Sequence, residues 1–156
     1  MALALWLKKS DRGSLIPLSF GFFIISITLI FISINVSTAY ATKKQLTNIA
    51  EAAINKAAHT INLPAYYAQL NRFQSNKKVP IHCSAASQVF SKLINEHQLS
   101  GNKISITSID CDLYSITAEL SVLAKLPIQI PFFTIDNIST FNIRTQVGAS
   151  SEYLAN

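Results

Sequence analysis

The sequence predicts an α+β fold in which a single N-terminal transmembrane helix continues into a long helix of the folded domain. Three patterns predict it. Residues 13–42 carry no charge, an apolar stripe of helical period follows them, and the C-terminal half changes to a period of two. We expect the long helix to pack, together with a second helix, on a small antiparallel sheet.

The uncharged run is long enough to cross a membrane. Residues 15–36 contain fifteen Leu, Ile, Phe or Val side chains, and each favours insertion by roughly 0.3–0.6 kcal/mol at the centre of a bilayer. At a rise of 1.5 Å per residue the segment spans about 33 Å, which matches the hydrocarbon core. The predicted organisation is a cytoplasmic basic leader at residues 1–13, a transmembrane helix at 14–40 and an extracytoplasmic α+β domain at 41–156.

The flanking charges favour one orientation. Lys8, Lys9 and Arg12 precede the apolar run, whereas Lys43 and Lys44 follow it. The excess on the N-terminal side is slight, but together with the two cysteines, which suit an oxidising compartment, it favours a cytoplasmic N-terminus and therefore a single-pass protein of the cell membrane with its C-terminal domain outside. The net charge of +5 forms no basic stripe interleaved with aromatic residues, so we expect no nucleic-acid partner.

A cleaved signal peptide is the alternative to a retained anchor. Ala39-Tyr40-Ala41 fits the small-residue pattern of signal peptidase, and cleavage after Ala41 would release a small secreted domain. Signal peptides have apolar regions of about 7–15 residues, and this run is longer. Its length favours the anchor.

Small polar residues recur along one face of the predicted transmembrane helix. Ser19, Ser26, Ser33 and Ser37 are spaced seven, seven and four residues apart. Serine hydroxyls in such helices bond back to carbonyls of their own helix. Alternatively, small residues let a neighbouring helix approach closely in lipid, which makes this a candidate helix-packing face. The sequence leaves both interpretations open.

The apolar stripe beyond the membrane predicts that the helix continues. Its members recur every three or four residues, and they are Leu46, Ile49, Ala50, Ala53, Ala57 and Ile61. We predict one helix from about residue 15 to about residue 61, ended by Pro64. Two helices with a bend near residues 35–40 are the alternative. Ala50, Ala53 and Ala57 are predicted to cover the sheet and, in an assembly, to contact another helix.

A second helix is predicted after a connection at residues 62–80. Ser84 is its expected cap, and Gly101 is its expected C-terminal stop. Its apolar side is predicted to carry Val89, Phe90, Leu93 and His97.

Alternating residues then predict strands at 103–109, 113–123 and 141–147, with a hairpin corner at residues 110–112. Two prolines restrict residues 126–133 to an edge or irregular strand. The result is a meander with one apolar face that needs a cover.

The two cysteines, Cys83 and Cys111, favour one disulfide, because an even count in a small exported domain is typical of disulfide bonding. Two buried thiols are the alternative. A zinc site with His82 and His97 lacks any standard ligand spacing. We expect no metal, no cofactor and no enzymatic activity, since the sequence contains no phosphate loop, nucleophile elbow or paired-histidine motif.

Two segments carry a family resemblance. Residues 11–21 read Asp-Arg-Gly-Ser-Leu-Ile-Pro-Leu-Ser-Phe-Gly, and residues 40–53 read Tyr-Ala-Thr-Lys-Lys-Gln-Leu-Thr-Asn-Ile-Ala-Glu-Ala-Ala. With the apolar run between them, they resemble the TadE/TadG-like minor pseudopilins of the tight-adherence pilus machinery. The resemblance implies a pilin-like long helix and peptidase processing between Gly13 and Ser14. This chain has Leu18 where many members carry a glutamate.

The resemblance also implies a function. It indicates a membrane-anchored structural or assembly component of a bacterial pilus or secretion apparatus. The implied partners are the lipid bilayer, other pilin or pilus-assembly proteins, and further copies of the chain through the N-terminal helix. A membrane-tethered binding module of the cell surface is the competing hypothesis, besides the secreted domain.

Overall fold

The structure, a computed structural model, describes residues 15–70, 78–125, 127 and 140–151, and its fold is α+β. The helices are α1 (Leu15–Ala58), α2 (Leu63–Leu70) and α3 (Cys83–Glu96). The strands are β1 (Gln98–Leu99), β2 (Asn102–Lys103), β3 (Ser105–Cys111), β4 (Ser115–Lys125) and β5 (Thr140–Ser150).

Helix α1 is continuous over 44 residues, about 66 Å at the usual rise. No bend divides it at residues 35–40, so the two-helix alternative is wrong. It ends at Ala58, before the predicted end, because Ile61 bridges to Ile81. Pro64 does not stop this helix. It is the second residue of α2, where a missing N–H is tolerated.

The principal sheet has three antiparallel strands in the order β3-β4-β5. Ile109 pairs with Ala118 on one side of β4, and Leu120 pairs with Thr145 on the other. The register of β3 shifts between Ile106 and Ser108. This irregularity interrupts the alternation that the sequence predicts for the strand.

Strands β1 and β2 form a separate hairpin. Its turn contains Ser100 at φ 54° and Gly101 at φ 76°, a backbone conformation that glycine adopts without steric cost. The prediction that Gly101 stops the second helix is therefore wrong: α3 ends at Glu96, and His97 is its exposed C-terminal cap rather than a member of its apolar face.

Two further boundaries differ from the prediction, and one predicted strand is not described. His82, not Ser84, caps α3, because its side chain accepts from the Ala85 amide. Cys111 lies inside β3, so the corner between β3 and β4 falls after it, at residues 112–114. The predicted strand at 126–133 lies outside the described residues, except for Pro127 in a bend.

One core joins the second half of α1 to α3 and to one face of the sheet. Helix α1 contacts β5, β4 and α3. The alternation predicted for β4 and β5 is confirmed, because Ile116, Leu120 and Val147 are buried while their neighbours along the strands are not. The largest fully buried side chains of the core are Leu46, Ile54, Pro80, Phe90, Ile94, Ile116 and Leu120.

Helix α1 and strand β5 run in the same direction. Thr47 bonds to Thr145, and Asn55 and His59, further along α1, line one cavity with Ser150 at the end of β5. The end of the sheet that contains Lys125 and Thr140 therefore lies toward the first half of α1.

Candidate membrane anchor

The first half of α1 has no cover in the folded chain. No residue before Thr42 in the described part of α1 is buried, although most are large and apolar. Leu15 is 77% exposed, and Val36, near the other end of the apolar run, is 63% exposed. Soluble monomers rarely expose contiguous apolar surface of this extent. Among the described residues, α1 is the one helix long and apolar enough to cross a membrane.

The domain begins to cover α1 within one turn of the helix. Tyr40 is 72% exposed, Thr42 is 5% exposed, and Leu46 is fully buried. Helix α1 therefore has two halves. The half before Thr42, which we call the bare half, is apolar and uncovered, and the half from Thr42 onward is packed into the domain. This division lies close to the boundary at residue 40 that the sequence predicts.

The alanine stripe belongs entirely to the domain core. Ala50, Ala53 and Ala57 are 0%, 4% and 0% exposed, and α1 packs there on β5, β4 and α3. Their prediction as a cover of the sheet is confirmed. Their prediction as a contact with a helix of another chain in an assembly is corrected, because side chains buried within one chain present no surface to another.

The serine face remains exposed, but its hydroxyls have partners. Ser19 donates to the Ile16 carbonyl at 3.0 Å. Ser26 and Ser33 each donate to the carbonyl four residues earlier at 2.8 Å. Thr28, on the opposite face, bonds in the same way to the Ile24 carbonyl at 2.9 Å. These bonds satisfy the hydroxyl protons within one helix, so a polar donor can lie in hydrocarbon without a partner chain.

The two cysteines lie at the end of the domain farthest from the bare half of α1. Their sulfurs are at disulfide distance and their Cα atoms are 5.7 Å apart. The pair joins the first residue of α3 to the last residue of β3. The second helix is thereby connected to the sheet.

Among the described residues, no metal centre forms around this pair. His82 Nδ1 accepts from the Ala85 amide at 3.3 Å and lies 3.2 Å from Ser84 Oγ, so its ring is used as a helix cap. His97 lies at the opposite end of α3. In the part of the chain that the structure describes, no three His, Cys, Asp or Glu residues are grouped as metal ligands.

A shallow cavity of about 220 Å³ lies where α1 ends. Asn55 and His59 line it on the helix side, and Ile61, Val79 and Ser151 line it opposite. No hydrogen bond or ion pair in the described residues organises its polar side chains around a common point.

The predicted processing site, Gly13 and Ser14, lies outside the described residues, and α1 begins at the next residue, Leu15. Neither protein-family models, nor curated proteins, nor solved structures match this chain. The resemblance to TadE/TadG-like pseudopilins therefore stays a prediction that rests on residues 11–53.

Proposed function

We propose that this chain is a single-pass, membrane-anchored structural component of a pilus or secretion apparatus, of the TadE/TadG-like minor pseudopilin type. Its N-terminus is cytoplasmic, its domain lies outside the cytoplasm, and its role is assembly rather than catalysis. The observation that carries the proposal is the division of α1 at Thr42 into a bare apolar half and a half buried in the domain.

A bare apolar helix of this length is unfavourable in water and favourable in lipid. The length of residues 15–36 matches the thickness of the hydrocarbon core, and their backbone groups are hydrogen-bonded inside the helix. Lipid is thus the solvent that suits the first half of α1. Water suits the domain, most of whose outward sheet residues are polar.

Because α1 is continuous, the proposed anchor and the domain are joined rigidly. Because the same helix crosses the bilayer and forms the core against the sheet, the domain cannot rotate freely about a linker. Parallel copies that pack through the bare half would place their domains at one level. The exposed face of Ser19, Ser26 and Ser33 is the contact we propose for such copies and for other pilin-like helices.

The cysteine pair supports the outward orientation. Disulfides persist outside the cytoplasm and are rare in reducing compartments. The pair Cys83–Cys111 is consistent with folding in an oxidising environment.

N-terminal sequencing of the mature protein tests the proposal most directly. A retained anchor begins at Met1 or Ala2, and a processed pseudopilin begins at Ser14. Extraction of membranes with alkaline carbonate should leave either form in the membrane fraction. Recovery of pilus-assembly components after crosslinking in cells would support the pilus assignment, whereas recovery of cell-wall material alone would favour a membrane-tethered binding module.

One observation favours the secreted domain as a second candidate. The cover of α1 begins at Thr42, the residue that directly follows the cleavage pattern ending at Ala41. Cleavage there would remove the bare half and leave the core nearly complete. The same sequencing experiment decides the matter, because a mature N-terminus at Thr42 would refute the anchor.

A further inference from the structure

We propose that one end of the domain docks on the anionic headgroups of the bilayer that α1 crosses. We name it the basal end, and it consists of the start of the buried half of α1, the last turn of α3, the β1–β2 hairpin and the adjoining ends of β4 and β5. This inference rests on the proposed function, since the anchor has to bring the basal end to the membrane. The charged residues of the basal end are Lys43, Lys44, Glu96, Lys103 and Lys125, and all are exposed.

The parallel course of α1 and β5 sets the level of the basal end. Thr47 and Thr145 are at one height because their hydroxyls bond at 2.9 Å. Thr140 lies five residues below Thr145, which is about 17 Å along a strand. The same descent along α1 covers about eleven residues. The end of the β4–β5 pair, where Lys125 pairs with Thr140, therefore lies near the level of Val36, the last residue of the apolar run.

The distance from the hydrocarbon is short. From Val36, the last residue of the apolar run, to Thr42, the first buried residue, the helix rises about 9 Å. The polar layer of a bilayer leaflet is about 5–8 Å thick. The buried half of α1 therefore begins where the headgroups end, whereas the end of the β4–β5 pair reaches the depth of the headgroups, and an ordinary helix tilt of about 20° brings one side of the domain closer still.

The β1–β2 hairpin is held in this position by a specific bond. Asn102 Nδ2 donates to the Leu123 carbonyl at 2.7 Å, which fixes the hairpin against the end of β4. Lys103 is thereby placed beside the strand end that carries Lys125. Leu123 is itself 57% exposed, so the same corner offers an apolar side chain flanked by two lysines, a combination suited to a membrane interface.

The charge at the basal end fits an anionic surface. Four lysines lie there against a single carboxylate among the described residues, that of Glu96. Asp110 and Asp112 lie at the opposite end, beside the disulfide. The basal end therefore carries a net positive charge on the side of the domain that faces the bilayer. Tyr40, 72% exposed just before the buried half of α1, is a residue type enriched at membrane interfaces.

Fluorescence quenching on reconstituted vesicles tests the proposal with the full chain. A fluorophore is attached to a cysteine introduced at the exposed Gln98 of the basal end, and headgroup-labelled lipid serves as quencher. We expect stronger quenching on vesicles of phosphatidylcholine with phosphatidylglycerol than on phosphatidylcholine alone. Each basic side chain near an anionic surface strengthens association about fivefold, so Lys103→Gln with Lys125→Gln should lower the docked-to-free ratio about 25-fold.

The matched control removes two lysines away from the basal end, by Lys56→Gln with Lys78→Gln, and should leave the quenching unchanged. Thermal unfolding of both double variants verifies that each is folded. Equal quenching on neutral and anionic vesicles, with the chain still resistant to carbonate, would overturn docking and leave the anchor intact. Extraction by carbonate would overturn the anchor and docking together. Binding of soluble polyphosphate without any lipid dependence would also overturn docking, because it would assign the cations to a soluble polyanion.

Discussion

Thr47 and Thr145 join helix α1 to the last strand through a hydroxyl–hydroxyl hydrogen bond of 2.9 Å. The residues are 98 positions apart in the chain, and Thr145 is 9% exposed within the interface of α1 and β5. Thr47 Oγ1 also bonds to the Lys43 carbonyl at 3.0 Å. Thr47 therefore uses its proton on its own helix and accepts the proton of Thr145.

This asymmetry predicts unequal effects of two similar substitutions. Thr47→Val removes the acceptor of a buried hydroxyl, and we expect it to lower the free energy of unfolding by about 1–3 kcal/mol. Thr145→Val leaves Thr47 bonded to Lys43, and valine suits a strand, so we expect a change below about 0.5 kcal/mol. Thermal unfolding in detergent micelles, followed by circular dichroism, measures both.

The double variant Thr47→Val with Thr145→Val completes the comparison. With both hydroxyls replaced by methyl groups, no buried donor is left unsatisfied, and stability should return close to that of the unmodified chain. Equal losses from the two single variants would show that the hydrogen bond does not have the direction assigned to it.

Because the alanine stripe is buried, we predict that larger side chains do not fit at its positions. Ala50 is fully buried where α1 packs on the domain, and Ala50→Leu should destabilise the fold by about 1–3 kcal/mol through overpacking. Ala52, exposed on the same helix, is the matched control, and Ala52→Leu should change stability by less than about 0.5 kcal/mol. Comparable effects at both positions would contradict the packing of α1 described above.

The disulfide is expected to contribute strongly for a domain of this size. Cys83 and Cys111 are 28 residues apart, and closing a loop of that length stabilises by about 3 kcal/mol in the chain-entropy description. Reductant should therefore lower the melting temperature of the unmodified chain. The variant Cys83→Ser with Cys111→Ser should melt at the lower temperature with or without reductant. A melting temperature insensitive to reductant in the unmodified chain would indicate that the thiols are not paired.

Features that depend on local periodicity were predictable from the sequence. Ala50, Ala53 and Ala57 recur at helical spacing, and Ile116, Ala118 and Leu120 alternate, because each pattern reflects which side of an element faces the core. The bare half of α1 was also predictable, because its residues are apolar on all sides, whereas a helix on the surface of a soluble domain has a polar side that faces water.

Features that depend on distant contacts were not predictable. The end of α1 at Ala58 follows from the bridge between Ile61 and Ile81, and neither residue signals it locally. The cap at His82 requires a ring orientation that tertiary packing fixes, whereas Ser84 is the ordinary capping residue type. The bond between Thr47 and Thr145 has no sequence signature, since threonine is common in both helices and strands.

The serine face gives the last prediction, which concerns association rather than stability. Ser26 and Ser33 are exposed on the bare half of α1, and their hydroxyl protons are already bonded to their own helix. Any contribution to helix pairing must therefore come from their small size, which permits close approach of two backbones. Ser26→Leu with Ser33→Leu should therefore weaken self-association in membranes, because leucine keeps the two backbones farther apart.

Thr28→Leu is the matched control for this prediction, because Thr28 makes the same kind of bond on the opposite face of the helix. It should leave self-association unchanged. Energy transfer between labelled chains in vesicles measures the monomer–dimer equilibrium of all variants at defined protein-to-lipid ratios. If the leucine variants associate as strongly as the unmodified chain, the serine face takes no part in assembly, and contacts among copies have to be sought on the surface of the domain.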